Sequence, residues 1–207
     1  MIKELIEDFY ASKGKDRAKI AFYISDAGKC PRAIWFSLKN YPKKPIESRI
    51  RRILEHGDYT HMRIMGALFS LGLIKAVEVE IPENEFIHGR ADAIITLDNE
   101  PCIIEIKSIH SAKFNKEEPD KDHVLQTQLY MHHFKIKQAI IIYENKNTQE
   151  LKEYLIKYDK EQVEEVLNTF KKIKIDIEKD TLPLIPQELE KWRCDYCPYI
   201  DSCKKLV

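Results

Sequence analysis

The chain has 207 residues, and its 34 basic side chains balance 34 acidic ones, giving a formal net charge of zero at pH 7. That balance excludes a histone-like polycation, so any electrostatic hold on nucleic acid has to come from a local basic groove. With 43% hydrophobic and 33% charged residues, 6 glycines and 9 prolines, the composition fits one domain with at most a small appendage and excludes disordered, collagenous and linker-like chains.

In chain order, Ile2, Leu5, Ile6, Phe9 and Tyr10 fall at helical spacing, which predicts a first amphipathic helix. MIKELIEDFY carries acids where a signal peptide would be basic and apolar, and no later run approaches the roughly 20 apolar residues of a bilayer span. A cytoplasmic protein with no membrane partner is expected. Ser25-Asp26 reads as a helix cap, and Cys30-Pro31 opens a short helix through Leu38. NYPKKPIE is a loop, and a long helix follows from about Ser48 to Leu71, with Gly57 and His61 on its apolar face. The period then changes. Ile74–Ile81, Ile87–Leu97 and Cys102–Lys107 are rich in β-branched residues and read as strands, with Asp98-Asn99 as the turn between the last two. A helix over Asp122–Phe134, strands at Gln138–Tyr143 and Leu151–Tyr158, and a charged helix capped by Asp159 and Gln162 and ending near Lys179 complete the core. The tail, PQELEKWRCDYCPYIDSCKKLV, is short, aromatic and cysteine-rich. The expected fold is α/β with about five strands. It divides into an N-terminal helical region (1–72), a core (73–182) and a cysteine-rich tail (183–207), all in one compact domain.

The densest chemistry lies in GRADAIITLDNEPCIIEIKS. A tight turn centred between Asp98 and Asn99 makes the numbers of paired residues sum to 197, which sets Asp92 opposite Glu105 with Lys107 on the same face. Two opposed carboxylates destabilise an apolar hairpin unless a cation lies between them, and oxygen ligands at that spacing suit Mg²⁺ or Mn²⁺. The same pattern also fits a solvent-exposed polar face with one salt bridge. His61 reads either as a packed core residue or as a ligand. Gln126 and Tyr130, at i,i+4 on one helix face, read either as filler or as flanking groups of a site.

Five cysteines in a chain expected to be cytoplasmic point to metal or redox chemistry rather than bridges. Cys194, Cys197 and Cys203 crowd the tail, and Cys30 is the obvious fourth ligand. On spacing alone the four suit zinc or an iron–sulfur cluster equally. Either would clamp the two chain ends together. Cys102, inside PCIIEIK, reads as a buried apolar residue. Lys39, Lys43, Lys44, Arg49, Arg51 and Arg52, with Trp35, Phe36 and Tyr41 close by, form a basic aromatic stretch that suits either a solvated helix end or DNA contact. Arg32, near Cys30, reads as a group reaching substrate or packing beside the cysteines.

The order Gly57-xxx-His61, Gly89-Arg90-Ala91-Asp92, Glu105-Ile106-Lys107, Gln126-xxx-Tyr130 resembles the PD-(D/E)XK nuclease superfamily in its RecB-like branch, over about Ser25 to Cys203. The cysteine placement is similar to that of the iron–sulfur RecB-like exonucleases of CRISPR adaptation, the Cas-four family. Ala91 replaces the family's usual proline before the aspartate. The resemblance implies a restriction-endonuclease-like mixed sheet. It also implies a divalent metal held by His61, Asp92, Glu105 and the Ile106 carbonyl, Lys107 as the catalytic lysine, and Gln126 and Tyr130 supporting the site and contacting substrate. It implies a four-iron four-sulfur cluster on Cys30, Cys194, Cys197 and Cys203, and metal-dependent exonuclease action on single-stranded DNA or overhangs, beside CRISPR integrase proteins. The alternatives are a repair or recombination nuclease of a virus or mobile element, and a non-catalytic DNA-binding module with a zinc or iron–sulfur clamp.

Overall fold

Asp98 and Asn99 both adopt left-handed backbone, with φ of 51° and 65°, as a two-residue hairpin turn matched to strand twist requires. They join β4 (Arg90–Leu97) to β5 (Glu100–Ile109). The antiparallel register runs from Leu97–Glu100 to Ala93–Ile104, every pair summing to 197. In the computed structural model, which describes residues 1–13, 18–82 and 86–206, this hairpin is the centre of a five-stranded sheet of order β2-β4-β5-β6-β7. The outer strands are β2 (Ile74–Glu80), β6 (Gln138–Asn145) and β7 (Leu151–Lys157). Only the β5–β6 pair is parallel, and its crossover contains a one-turn helix, α4 (Ser111–Phe114), and α5 (Lys121–Phe134). The remaining elements are α1 (Ile2–Ser12), β1 (Phe22–Tyr23), α2 (Pro31–Leu38), α3 (Ser48–Ser70), β3 (Ile87–His88), α6 (Lys160–Glu178), α7 (Trp192–Asp195) and α8 (Ile200–Lys205). Ser25 and Asp26 lie in a 3-10 turn, where Asp26 accepts the Tyr23 amide at 2.8 Å.

The expected strand 87–97 is broken at Gly89. The Gly89 carbonyl accepts the Ile81 amide at 2.9 Å, and a Cβ at residue 89 would lie 2.8 Å from the Ile24 side chain. The position thus excludes any side chain and separates β3 from β4. Asp159 caps α6 as expected, accepting the Glu161 and Gln162 amides at 2.9 and 3.3 Å.

The chain divides into two compact units, with two of the four boundaries falling inside α3 and α6. One, comprising 23–28 and 55–166, contains the sheet. Its core sets Ile64 of α3 against Ala93, Ile95, Cys102, Ile104 and Ile106, so alternate residues of β4 and β5 face α3 and the intervening ones face the other way. The other unit, comprising 1–22, 29–54 and 167–207, gathers both ends of the chain. Its core is aromatic: Trp35 and Phe36, 3% and 0% exposed, pack with Tyr41 and Tyr199 at ring separations of 5.0–5.8 Å. Burial corrects the DNA-stacking reading of Trp35 and Phe36. The basic stretch is likewise partly committed, Arg52 to both oxygens of Glu7 at 2.9 and 3.1 Å and Lys39 to Asp180 at 2.7 Å. No helix among the described residues is long and apolar enough to cross a membrane.

Candidate active site

Glu105 projects from β5 on the face away from α3 and is 1% exposed. Its Oε1 accepts from Gln126 Nε2 at 2.8 Å and from Lys107 Nζ. Its Oε2 is buried with no hydrogen-bond partner. Burial pushes this carboxyl well above the usual range, the Lys107 ammonium pulls it back, and the Asp92 charge raises it further. A buried acceptor left bare costs roughly 1–3 kcal/mol, so the residue is held at the expense of stability, which points to a function.

Asp92 stands one step past the last ladder pair, where β4 parts from β5. Its Oδ2 accepts the Ile106 amide at 2.7 Å, and its Oδ1 lies 3.2 Å from His61 Nε2. His61 comes from α3, in the turn after Gly57, beside which there is open space. The hydrogen bond to Asp92 raises the His61 imidazole against the opposing effect of burial, with the Asp92, Glu78 and Glu105 charges adding to the rise. The nitrogen that holds this proton is the one a metal would take.

Glu78 was not singled out from the sequence. It adopts φ of 50° on β2, between the pairs Val77–Ala93 and Val79–Ala91, and so faces Asp92. Its carboxylate pairs with Arg90 at 2.6 Å and approaches His61 at 3.6 Å. His61, Glu78 and Asp92 each offer a ligand atom within 4.8 Å of the others. Glu105 lies outside that trio, drawn toward Gln126 and Lys107. The donor set of carboxylates and one imidazole, with an orphaned carboxylate oxygen beside it, fits a hard divalent cation such as Mg²⁺ or Mn²⁺.

Gln126 and Tyr130 share one face of α5 but act differently. Gln126 holds Glu105, whereas Tyr130, 3% exposed, donates its hydroxyl to the Arg90 carbonyl at 2.7 Å and so braces β4 two residues before Asp92. Tyr130→Phe is expected to cost about 1 kcal/mol of stability and to lower metal affinity roughly 10-fold, as loss of a supporting group around a metal site does. Urea denaturation and metal titration would measure the two effects.

The second cluster lies wholly in the other unit. Cys30, Cys194, Cys197 and Cys203 line one cavity of about 230 Å³ with Phe36, Trp192 and Ile200 among its walls. Burial raises the Cys197 thiol, the Tyr199 amide lowers it, and the other three cysteines beside it raise it again. Among the described residues no cysteine trio comes within the 4.8 Å that joins His61, Glu78 and Asp92. Arg32 is turned to this cavity, donating Nε to the Pro183 carbonyl at 2.5 Å and Nη1 to Cys203 Sγ at 3.6 Å, which favours packing beside the cysteines over a reach to substrate. Cys102 belongs to the sheet core, where burial pushes its thiol up to about 11.

The fold is similar to that of solved structures. SSO0001 is 24% identical, with 96% of this chain and 94% of that one covered and a TM-score of 0.59. An alkaline exonuclease from Laribacter hongkongensis is 14% identical over 86% and 93% of the two chains, with a TM-score of 0.55. A phage related exonuclease from Haemophilus somnus 129PT is 17% identical over 72% and 79%, with a TM-score of 0.51. No curated protein matches the chain by sequence. The profile of the PD-(D/E)XK nuclease superfamily matches residues 6–204, nearly the whole chain and all of the Asp92, Glu105 and Lys107 constellation: the chain belongs to the PD-(D/E)XK nuclease superfamily.

Proposed function

We propose that the protein is a cytoplasmic, divalent-metal-dependent DNA exonuclease acting on single-stranded DNA or overhangs. The bare, buried Oε2 of Glu105 is the observation that carries this reading, because an acceptor that no protein donor meets, beside Asp92 and His61, is open to a bound cation. His61, Asp92, Glu105 and the Ile106 carbonyl would hold Mg²⁺ or Mn²⁺, with Glu78 close enough to join them. Such an ion supplies a bound water of lowered pKa and neutralises charge building on a phosphate. Lys107, part-exposed beside Glu105, is placed to hold the attacking water and to meet the negative charge that develops as the P–O bond breaks. Gln126 keeps the Glu105 carboxylate aimed, and the Ile106 amide does the same for Asp92.

The cysteine cavity is read as the seat of a four-iron four-sulfur cluster. Zinc bound by four thiolates at about 2.3 Å would draw the sulfurs together within one small tetrahedron; the wider spread here suits a polynuclear group. The cluster's role is structural, joining residue 30 to residues 194–203. The setting that matches both centres is CRISPR spacer acquisition beside integrase proteins. A repair or recombination role in a virus or mobile element uses the same chemistry, and the likeness to a phage related exonuclease favours it as the second reading.

Anaerobically purified protein is expected to be brown and to degrade end-labelled single-stranded DNA with Mn²⁺ or Mg²⁺, stopping when EDTA is added. Binding without cleavage under either ion would overturn the enzyme reading in favour of a binding module. A colourless protein with stoichiometric zinc would overturn the cluster.

A further inference from the structure

Helix α5 turns a second polar side chain toward the active-site face. His123 lies one turn before Gln126, and residues three apart share a helix face. Gln126 reaches Glu105, while His123 reaches Tyr143, with Nδ1 2.7 Å from the phenolic oxygen. Tyr143 is the partner of Lys107 in the parallel β5–β6 ladder, so those two side chains stand together on one face of the sheet. His123 is therefore placed beside Lys107 much as Gln126 is placed over Glu105. Burial, helped by the Lys107 ammonium, holds its imidazole down to about 4, so the ring is neutral at pH 7.

The hydrogen bonds around Tyr143 favour one tautomer. The Asp120 amide donates to the Tyr143 oxygen at 2.9 Å, and the arrangement in which that hydroxyl gives its own hydrogen to His123 Nδ1 uses its donor as well as its acceptor. The imidazole proton then sits on Nε2. Nε2 has no hydrogen-bond partner among the described residues, and the residue is half-buried. The nearby carboxylate of Asp120 is already matched by Lys113 at 2.5 Å and Lys116 at 3.8 Å. The result is a rigid, uncharged N–H donor beside the catalytic lysine with no protein acceptor to take it.

We propose that His123 is a substrate-binding residue, donating Nε2–H to a non-bridging oxygen of the DNA phosphate adjoining the one at Lys107, with Tyr143 and the Asp120 amide as its positioning groups. The assignment rests on the nuclease reading. A neutral donor adds direction to the phosphate track without a further charge beside Lys107, and it displaces no condensed counterion from the DNA.

The test measures binding of a labelled single-stranded oligonucleotide in EDTA across a salt series, and kcat and KM for its cleavage in Mn²⁺. His123→Ala is expected to weaken binding roughly 10-fold or more and to raise KM in step while kcat holds. Its slope of log affinity against log salt should match wild type, whereas loss of one lysine contact would reduce that slope by about 0.7. His123→Gln keeps an N–H donor and should recover most of the affinity. Tyr143→Phe should fall between the two, because the imidazole proton is then shared by both nitrogens. Wild-type affinity and KM in His123→Ala would overturn the proposal. So would a fall in kcat at unchanged KM, or a loss that His123→Gln does not relieve, both of which mark a merely structural residue. If the wild-type protein binds the oligonucleotide but cuts nothing, the nuclease reading falls alone, and the affinity comparison still decides the role of His123.

Discussion

Glu105→Gln is expected to abolish cleavage and, at the same time, to make the metal-free protein more stable. The activity loss should exceed the roughly 10–100-fold that removal of a merely supporting group costs, since Glu105 is proposed as a ligand of the metal. Lys107→Ala, which takes away the cation proposed to meet the scissile phosphate, should cost about 10²–10³-fold in kcat. The stability gain has a separate cause. In the wild type, Glu105 keeps one oxygen satisfied and one bare in a buried position. An amide removes the charge, and Lys107 is exposed enough to take up water in its place. The gain comes from removing the buried charge, since the amide nitrogen is left as unpartnered as the oxygen was, and should be about 1–3 kcal/mol, read from urea denaturation in EDTA at pH 7 or above. It also has a pH signature. The folded carboxyl titrates above its unfolded value of about 4.3, because burial opposes its charge. As pH rises from there toward neutrality, the unfolded chain releases this proton first and the wild type loses stability. The variant, having no such proton, does not. Added Mg²⁺ should reverse the order, stabilising the wild type by about 2.7 kcal/mol at a hundred times its Kd and leaving the variant unchanged. A Glu105→Gln protein that cuts normally would place the reaction elsewhere.

Cys197→Ser is expected to lose visible colour and iron, and with them the integrity of the unit that holds the chain ends. Its core is a small aromatic cluster around Phe36, Tyr41 and Tyr199, and α1 contributes no buried residue to it. A group that joins residue 30 to residues 194–203 closes a very long loop. A covalent bridge across a loop of comparable length is worth about 4–5 kcal/mol, and loss of that order should appear as insolubility or as an early thermal transition. Cys102→Ala, in the sheet core, serves as the control and should keep full iron content. A soluble Cys197→Ser protein that melts with the wild type would show that the cavity clamps nothing.

Local turn chemistry made the active-site hairpin legible. Asp98-Asn99 can form a tight left-handed turn, and once the turn is placed, the alternation of side chains puts Asp92, Glu105 and Lys107 on one face without reference to the rest of the molecule. Helices α3, α5 and α6 were legible for the same reason, through spacing and caps within a single segment. Glu78 was not. Its position beside Asp92 depends on the pairing of β2 with β4, which includes a register shift between Ile74 and Ala76, and no residue within VEVE marks which of its acids lies inward. The break at Gly89 depends on the approach of Ile24 from 65 positions earlier in the chain. Trp35 and Phe36 show the same limit in reverse: aromatic residues beside lysines suit a nucleic-acid surface or a core equally, and Tyr199, far away in the tail, decides for the core.

The order in which segments are shared between the two units bears on how the chain acquires its structure. All of the sheet-bearing unit precedes residue 167, so a ribosome has supplied everything it needs while the cysteine tail is still unmade. The other unit begins with segments made early and must wait for residues 194–203. During synthesis its N-terminal aromatic residues are exposed without their partner Tyr199, and Cys30 is without Cys194, Cys197 and Cys203. The split unit thus closes after the sheet-bearing unit has been made, and delivery of iron and sulfide to the proposed cluster has to come after residues 194–203 have been translated.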